Sequence, residues 1–249
     1  MRVGIACESS SFLLKEAVKK HIVELGYEVV DVGQRTPEEN VLYYEAAQRL
    51  AELIQSGMVK PEDMPRFVGH IHDEASRMVT LVEDIIRLSQ LDEGDAMPTE
   101  TVDLLTLSQE AVTNLQDAAA KQQVSLSVDG GHAPVIGVRR LLYEVIFNLC
   151  DNAIKYNKDG GSVAVAVGRD GPDAVVTVAD TGIGIPPEHQ GRVFERFYRV
   201  DKSHSKASGG TGLGLSIVKH AVAYHHGTVT LDSREGDGTT FTLRLPLEA

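Results

Sequence analysis

Asn148, Asn152, Lys155 and Tyr156 stand at i, i+4, i+7 and i+8 within Asn148-Leu-Cys-Asp-Asn152-Ala-Ile-Lys155-Tyr156. On a helix that spacing gathers two amides, an ammonium and a phenol on one face. Amide oxygens are hard ligands suited to Mg²⁺, and an ammonium suits phosphate. Downstream, Asp180-Thr-Gly182-Ile-Gly184-Ile follows an apolar run: one carboxylate, then glycines that admit close approach of a ligand. Phe194-Glu-Arg-Phe197-Tyr-Arg199 is aromatic and basic. Gly209-Gly210-Thr211-Gly212-Leu213-Gly214-Leu-Ser216 opens a helical stretch, whose backbone N–H groups could cradle phosphate. Singly, each has a plainer reading: solvated asparagines, a turn, a glycine loop, two core phenylalanines. Their joint order and spacing are what accident does not easily supply.

The elements that must position these groups are legible from periodicity. Leu104–Gln122 and Val138–Tyr156 read as helices, Val124–Val128 as a strand. Ser162–Val167 and Ala174–Val178 read as strands joined through 168–173, and Thr228–Asp232 with Thr239–Leu245 pair around Gly236-Asp237-Gly238. Gly212–His226 is helical, with His225-His226 at its end, where a charged imidazole is favourable. Upstream, Met64–Gln90 is one long helix whose stripe from Phe67 to Leu88 calls for a partner helix. Arg2–Cys7, Phe12–Leu25, Tyr27–Val32 and Val41–Gln55 read as strand, helix, strand, helix, the seed of a parallel sheet. The fold class is α+β: a two-layer sandwich preceded by a long helix and an incomplete βαβ segment.

Composition narrows the function classes. The 249 residues carry 24 Lys+Arg against 36 Asp+Glu, a net charge of −12, which argues against broad binding to nucleic acid or anionic membrane. Cys7 and Cys150 are too few for a disulfide framework, so a reducing, cytoplasmic setting is expected. No apolar run approaches the ~20 residues of a spanning helix.

The four motifs resemble the asparagine, first glycine, phenylalanine and second glycine boxes of the sensor histidine kinase ATP-binding domain, of the Bergerat fold shared with gyrase. That resemblance implies an ATP and Mg²⁺ site. Asn152 with Asn148 would hold the metal, Lys155 and Arg199 the phosphates, and Tyr156 the adenine face. Asp180 would accept the adenine amino group, with Thr239 or Thr240 nearby, between Gly182, Gly184 and the loop Gly210, Thr211, Gly212, Leu213, Gly214. Residues 200–210 match its mobile lid. ATP-hydrolysing relatives carry a Glu one turn before the metal-binding Asn. Asn148 stands there instead and cannot act as a general base, which favours phosphoryl transfer over hydrolysis. Asn148 and Lys155 are therefore the candidate catalytic residues, and a response regulator is the family's downstream partner.

The phosphoacceptor motif of that family is missing. His72, in His72-Asp-Glu-Ala-Ser-Arg, lacks the proline and leads into what resembles the second hairpin helix; His70 is weaker. Residues 1–57 instead resemble the N-terminus of ribose-5-phosphate isomerase B and galactose-6-phosphate isomerase, through Cys7-Glu8, Phe12-Leu-Leu-Lys15 and Gly26-Tyr-Glu-Val-Val-Asp-Val-Gly33. Glu8-Ser9 replaces that family's Asp-His pair, which argues against isomerase activity. The expected division is 1–57 isomerase-like, 58–95 a hairpin helix lacking its mate, and 96–249 the ATP-binding domain. A homodimer, or pairing with an intact kinase through 64–90, would cover the stripe. The alternatives are a non-catalytic ATP-binding module from a gene fusion and, more weakly, a sugar-phosphate isomerase.

Overall fold

The computed structural model describes residues 2–5, 12–24, 28–31, 48, 51–56, 62–93, 97–200 and 211–247. Cys7, the turn at Glu8-Ser9, most of the expected Val41–Gln55 helix, Gly209, Gly210 and the rest of the lid from 201 lie outside the described residues. The chain divides into two compact units, one running to Glu83 and one starting at Asp84.

In the first unit, β1 (Arg2–Ile5) and β2 (Glu28–Asp31) pair in parallel, Arg2 opposite Glu28, with α1 (Phe12–Glu24) between them in sequence. The βαβ reading thus holds for the described part. Helix α2 (Met64–Glu93) begins in this unit and runs three residues past the expected Gln90. Its final turns, which belong to the second unit, bury Leu88 and Leu91, and that packing carries the helix onward.

The second unit runs β3 (Glu100–Asp103), α3 (Leu104–Lys121), β4 (Ser125–Gly130), β5 (Pro134–Gly137), α4 (Arg139–Lys155), β6 (Ser162–Asp170), β7 (Asp173–Asp180), α5 (Pro187–Gln190), α6 (Gly214–Tyr224), β8 (Thr228–Arg234) and β9 (Gly238–Pro246). Five strands form one sheet in the order β4-β6-β7-β9-β8, parallel between β4 and β6 and antiparallel elsewhere. β3 and β5 make a separate antiparallel ribbon.

Strand alternation explains the layering. Val163, Val165 and Val167 of β6, Ala174, Val176 and Val178 of β7, and Phe241, Leu243 and Leu245 of β9 point to one buried face, while Ala164 and Ala166 are exposed. Against that face α3 lays Leu104, Leu107, Ala111 and Leu115, and α4 lays Leu142, Ile146, Leu149 and Ala153, in one continuous core. The spacing is helical, so the opposite face of α4 stays polar. Asp103 caps α3 by accepting from the Thr106 N–H at 3.3 Å.

The β6–β7 hairpin is tighter than the expected 168–173 connection. Gly168 stays in register with Val175, and only Gly171-Pro172 turn, with Gly171 at φ +58°. Among the described residues no helix is long and apolar enough to cross a membrane.

Candidate functional site

The end of β7 begins the site. Asp180 lies opposite Thr239 and continues the row of Ala174, Val176 and Val178, so a carboxylate takes the place where another apolar residue would extend the core. Burial pushes its pKa up, opposed by hydrogen bonds from two backbone N–H groups. Gly182 donates at 2.8 Å and Thr239 at 3.2 Å, both to Oδ1. Among the described residues Oδ2 receives no such bond, so the carboxylate is locked by one oxygen and offers the other. Of Thr239 and Thr240, it is Thr239 that meets Asp180; Thr240 pairs with Ala179 and Asp232.

The loop after Asp180 needs its glycines. A Cβ on Gly182 would stand 2.4 Å from the Tyr156 carbonyl, and Gly184 at φ +68° would place one 2.0 Å from the Arg234 carbonyl. The loop is also stitched to its neighbours, since Ile183 donates to the Tyr156 carbonyl at 3.0 Å and accepts from Gly236 at 2.8 Å. Tyr156 caps α4 and is 40% exposed, its ring free to face a ligand.

Eight residues earlier on α4, about 12 Å along the axis, sits Asn148. It and Asn152 are part-buried, and among the described residues neither amide makes a hydrogen bond. A Cβ on Gly214 would lie 3.5 Å from Asn148 Oδ1, so the start of α6 abuts this amide. Leu213 is buried and contributes backbone to that start. Thr211 Oγ1 donates to Asp84 Oδ2 at 3.0 Å and accepts from the Leu213 N–H at 3.3 Å. Gly212, at φ +75°, accepts from the Phe197 N–H at 2.9 Å, which joins the aromatic segment to the glycine loop. Phe197 itself holds φ +62°, a left-handed backbone uncommon outside glycine, and is 58% exposed. Phe194 follows the plainer reading and packs edge-on against Phe241 of the core. Lys155 Nζ bonds Asp151 Oδ2 at 2.6 Å, a pair one helical turn apart that spacing alone did not single out. Arg199 is part-buried. Cys150, between the asparagines, is a core thiol pushed up to about 12 by burial, so it is unreactive.

Two contributors escaped the sequence reading, Ser233 and Gln190, and one, His225, was read differently. Ser233 and Gln190 hold the loop at Ile185. His225 is a correction to the expected charged helix end. It is buried, and desolvation pushes its pKa down, opposed in part by the bond to Ala221. Its Nε2 accepts from the Val138 N–H at 2.9 Å and its Nδ1 donates to the Ala221 carbonyl at 2.7 Å. That pattern demands the neutral ring, and it ties the end of α6 to the start of α4. No motif marks such tertiary contacts. His72 is exposed beside Asp73, at 3.6 Å, with nothing further to mark it as an acceptor.

Comparison with known proteins identifies the family and the fold. Residues 137–249 match the family described as histidine kinase-, DNA gyrase B- and HSP90-like ATPase, and residues 3–61 match the ribose/galactose isomerase family. Sensor-like histidine kinase SenX3 of Mycolicibacterium smegmatis is 40% identical over 79% of this chain and 52% of its own length. The solved structure of the mycobacterial sensor histidine kinase MprB is 30% identical, with a TM-score of 0.54, covering 61% of this chain and 99% of that one. The Acinetobacter baumannii histidine kinase AdeS, 21% identical with a TM-score of 0.69 over 83% of this chain and 96% of its own, shares the fold. The chain spans about half the length of the first of these relatives. Fold, motif order and sequence identity agree: the chain belongs to the sensor histidine kinases, of which it carries the ATPase-type domain.

Proposed function

We propose that the face running from Tyr156 to Asn148 binds ATP, its adenine against Asp180 and its phosphates against the start of α6. The observation that carries this is the Asp180 carboxylate, pinned through Oδ1 by Gly182 and Thr239 with Oδ2 left to accept an amino group. Burial raises the cost of leaving that acceptor unpaired, which turns it into selectivity for a donor. Gly182 and Gly184 let the loop backbone come close to the base, and Tyr156 supplies an aromatic face. Gly210, Thr211, Gly212, Leu213 and Gly214 lead into the positive end of α6, where phosphate oxygens are favoured.

The donor set fits Mg²⁺ in a definite way. Asn148 and Asn152 offer two hard oxygens, and among the described residues no group of three His, Cys, Asp or Glu could hold an ion alone. The ion would therefore share its shell with phosphate and water. When bound it neutralises phosphate charge; the chain's own residues do the positioning. Lys155, released from Asp151, and Arg199 pair with phosphate oxygens. Asn148, where a general base would activate water, supplies no base, so the γ-phosphoryl group is kept for a histidine nitrogen.

The whole protein would pass that group from histidine to a response regulator, in the cytoplasm where ATP resides. This chain lacks a convincing acceptor, so we expect it to bind nucleotide and to label itself weakly or not at all. Incubation with labelled ATP, alone and with a histidine-bearing kinase hairpin, tests this. Label should appear on the hairpin; acid-labile label on His72 would reverse the assignment. Replacing Asn152 by Ala should abolish the Mg²⁺ dependence of ADP binding, and retained dependence would move the metal elsewhere.

A further inference from the structure

Ile185, where the glycine loop leaves the site, has both backbone polar groups taken by side chains. Its N–H donates to Ser233 Oγ at 2.8 Å, and its carbonyl accepts from Gln190 Nε2 at 2.8 Å. The same Nε2 donates to the Ser233 carbonyl at 2.8 Å, closing a three-cornered clamp between the loop, α5 and β8. Ser233 Oγ also lies 2.9 Å from the Gly238 carbonyl, to which it donates, and 2.9 Å from Thr239 Oγ1. Thr239 in turn donates its N–H to Asp180 Oδ1. From Asp180 the chain returns through Gly182 to Ile185, so the network is a ring: Asp180, Thr239, Ser233, Ile185 and back.

We propose that Ser233 and Gln190 are positioning residues that fix the Asp180 carboxylate for recognition of an adenine amino group. The proposal rests on the reading of Asp180 given above. Ser233 lies on β8, and its part-buried hydroxyl joins the loop at Ile185 to the first two residues of β9, Gly238 and Thr239. The loop keeps independent anchors at Ile183, on Tyr156 and Gly236. Losing the Ser233 hydroxyl therefore leaves the loop attached at Ile183 and frees two points: Ile185 at the loop's far end loses its acceptor, and Thr239, which holds Asp180 Oδ1, loses its side-chain neighbour. A part-buried N–H left without its acceptor is costly, and a Thr239 freed from Ser233 lets the carboxylate that it holds turn. Neither residue touches the nucleotide; both act through Asp180.

The test compares ADP with its hypoxanthine counterpart IDP, which presents a carbonyl where adenine presents an amino donor. Both are titrated calorimetrically into the full chain with Mg²⁺. The unmodified chain should prefer ADP. Ser233→Ala should weaken ADP roughly tenfold and leave IDP nearly unchanged, so that the preference collapses. Ser233→Thr, which keeps the hydroxyl, should retain it. Equal weakening of both nucleotides, or no change in the ratio, would mean a merely structural role and overturn the proposal. If thermal melting shows that Ser233→Ala does not fold, Gln190→Ala carries the test with the same two outcomes. Asp180→Asn separates the levels. If it abolishes the preference while Ser233→Ala and Gln190→Ala keep it, the clamp alone is wrong. If it leaves the preference intact, or the unmodified chain binds no ADP, the site reading falls and the clamp with it.

Discussion

At the scale of single residues, chemistry that repeats in sequence was legible and chemistry made by tertiary contact was not. Asp180, Gly182 and Gly184, whose motif singly reads as a turn, stand out through its order and spacing with the other three motifs. Ser233, Gln190 and His225 carry no spacing signal; each has a partner 43 to 87 positions away in the chain. His225 shows the consequence for pH. Its neutral ring accepts from Val138, and burial holds its folded pKa below the ordinary 6.5, with His226 adding repulsion to the charged form. Above about pH 6.5 both folded and unfolded chains are neutral there. As pH falls below it the unfolded chain takes up a proton that the folded chain resists, so stability is lost. Urea midpoints should therefore fall between about pH 7 and about pH 5.5 more steeply in the unmodified chain than in His225→Gln. Parallel slopes would remove His225 from the account.

Elements with strong periodicity matched expectation because each buries one face against a single core. α3, α4 and α6 show their buried residues at helical spacing, and β6, β7 and β9 alternate. β3 and β5, four residues each, and the single turn of α5 are too short to establish a period, so they were missed. They still matter: β3 ends on Asp103, which accepts from Thr106, the His132 ring at 2.8 Å and the Ala133 N–H at 2.9 Å. Burial alone would raise that carboxyl, but these bonds together hold it well below the usual range. Asp103→Ala should cost about 1 kcal/mol from the lost cap, read as a lower urea midpoint with nucleotide affinity intact. Gly184→Ala is different in kind, because a methyl there meets the Arg234 carbonyl on a left-handed backbone. The loop must shift, so it should lose more than about 1 kcal/mol and most nucleotide affinity. A variant binding ADP normally would mean the loop is not part of the site.

For the molecule as a whole, a net charge of −12 argues against a polyanion partner, and the proposed site would meet a single nucleotide through backbone, amides, Lys155 and Arg199. Helix α2 leaves Val79, Val82, Ile85 and Ile86 exposed, each near half or more. Apolar groups spaced so along a helix are expected to meet another helix. The chain should then gain mass with concentration in sedimentation, and Val82→Lys with Ile86→Glu should suppress that; a monomer at all concentrations would mean the stripe is covered within the chain. The isomerase-like match covers 3–61 and the ATPase-type match 137–249. The proposed function turns on one carboxylate at the end of β7. Calorimetric titration of Mg²⁺-ADP into the unmodified chain and into Asp180→Asn tests it most directly. The account predicts one saturable site, weakened at least roughly tenfold by the substitution. Equal affinity in the two proteins would contradict it.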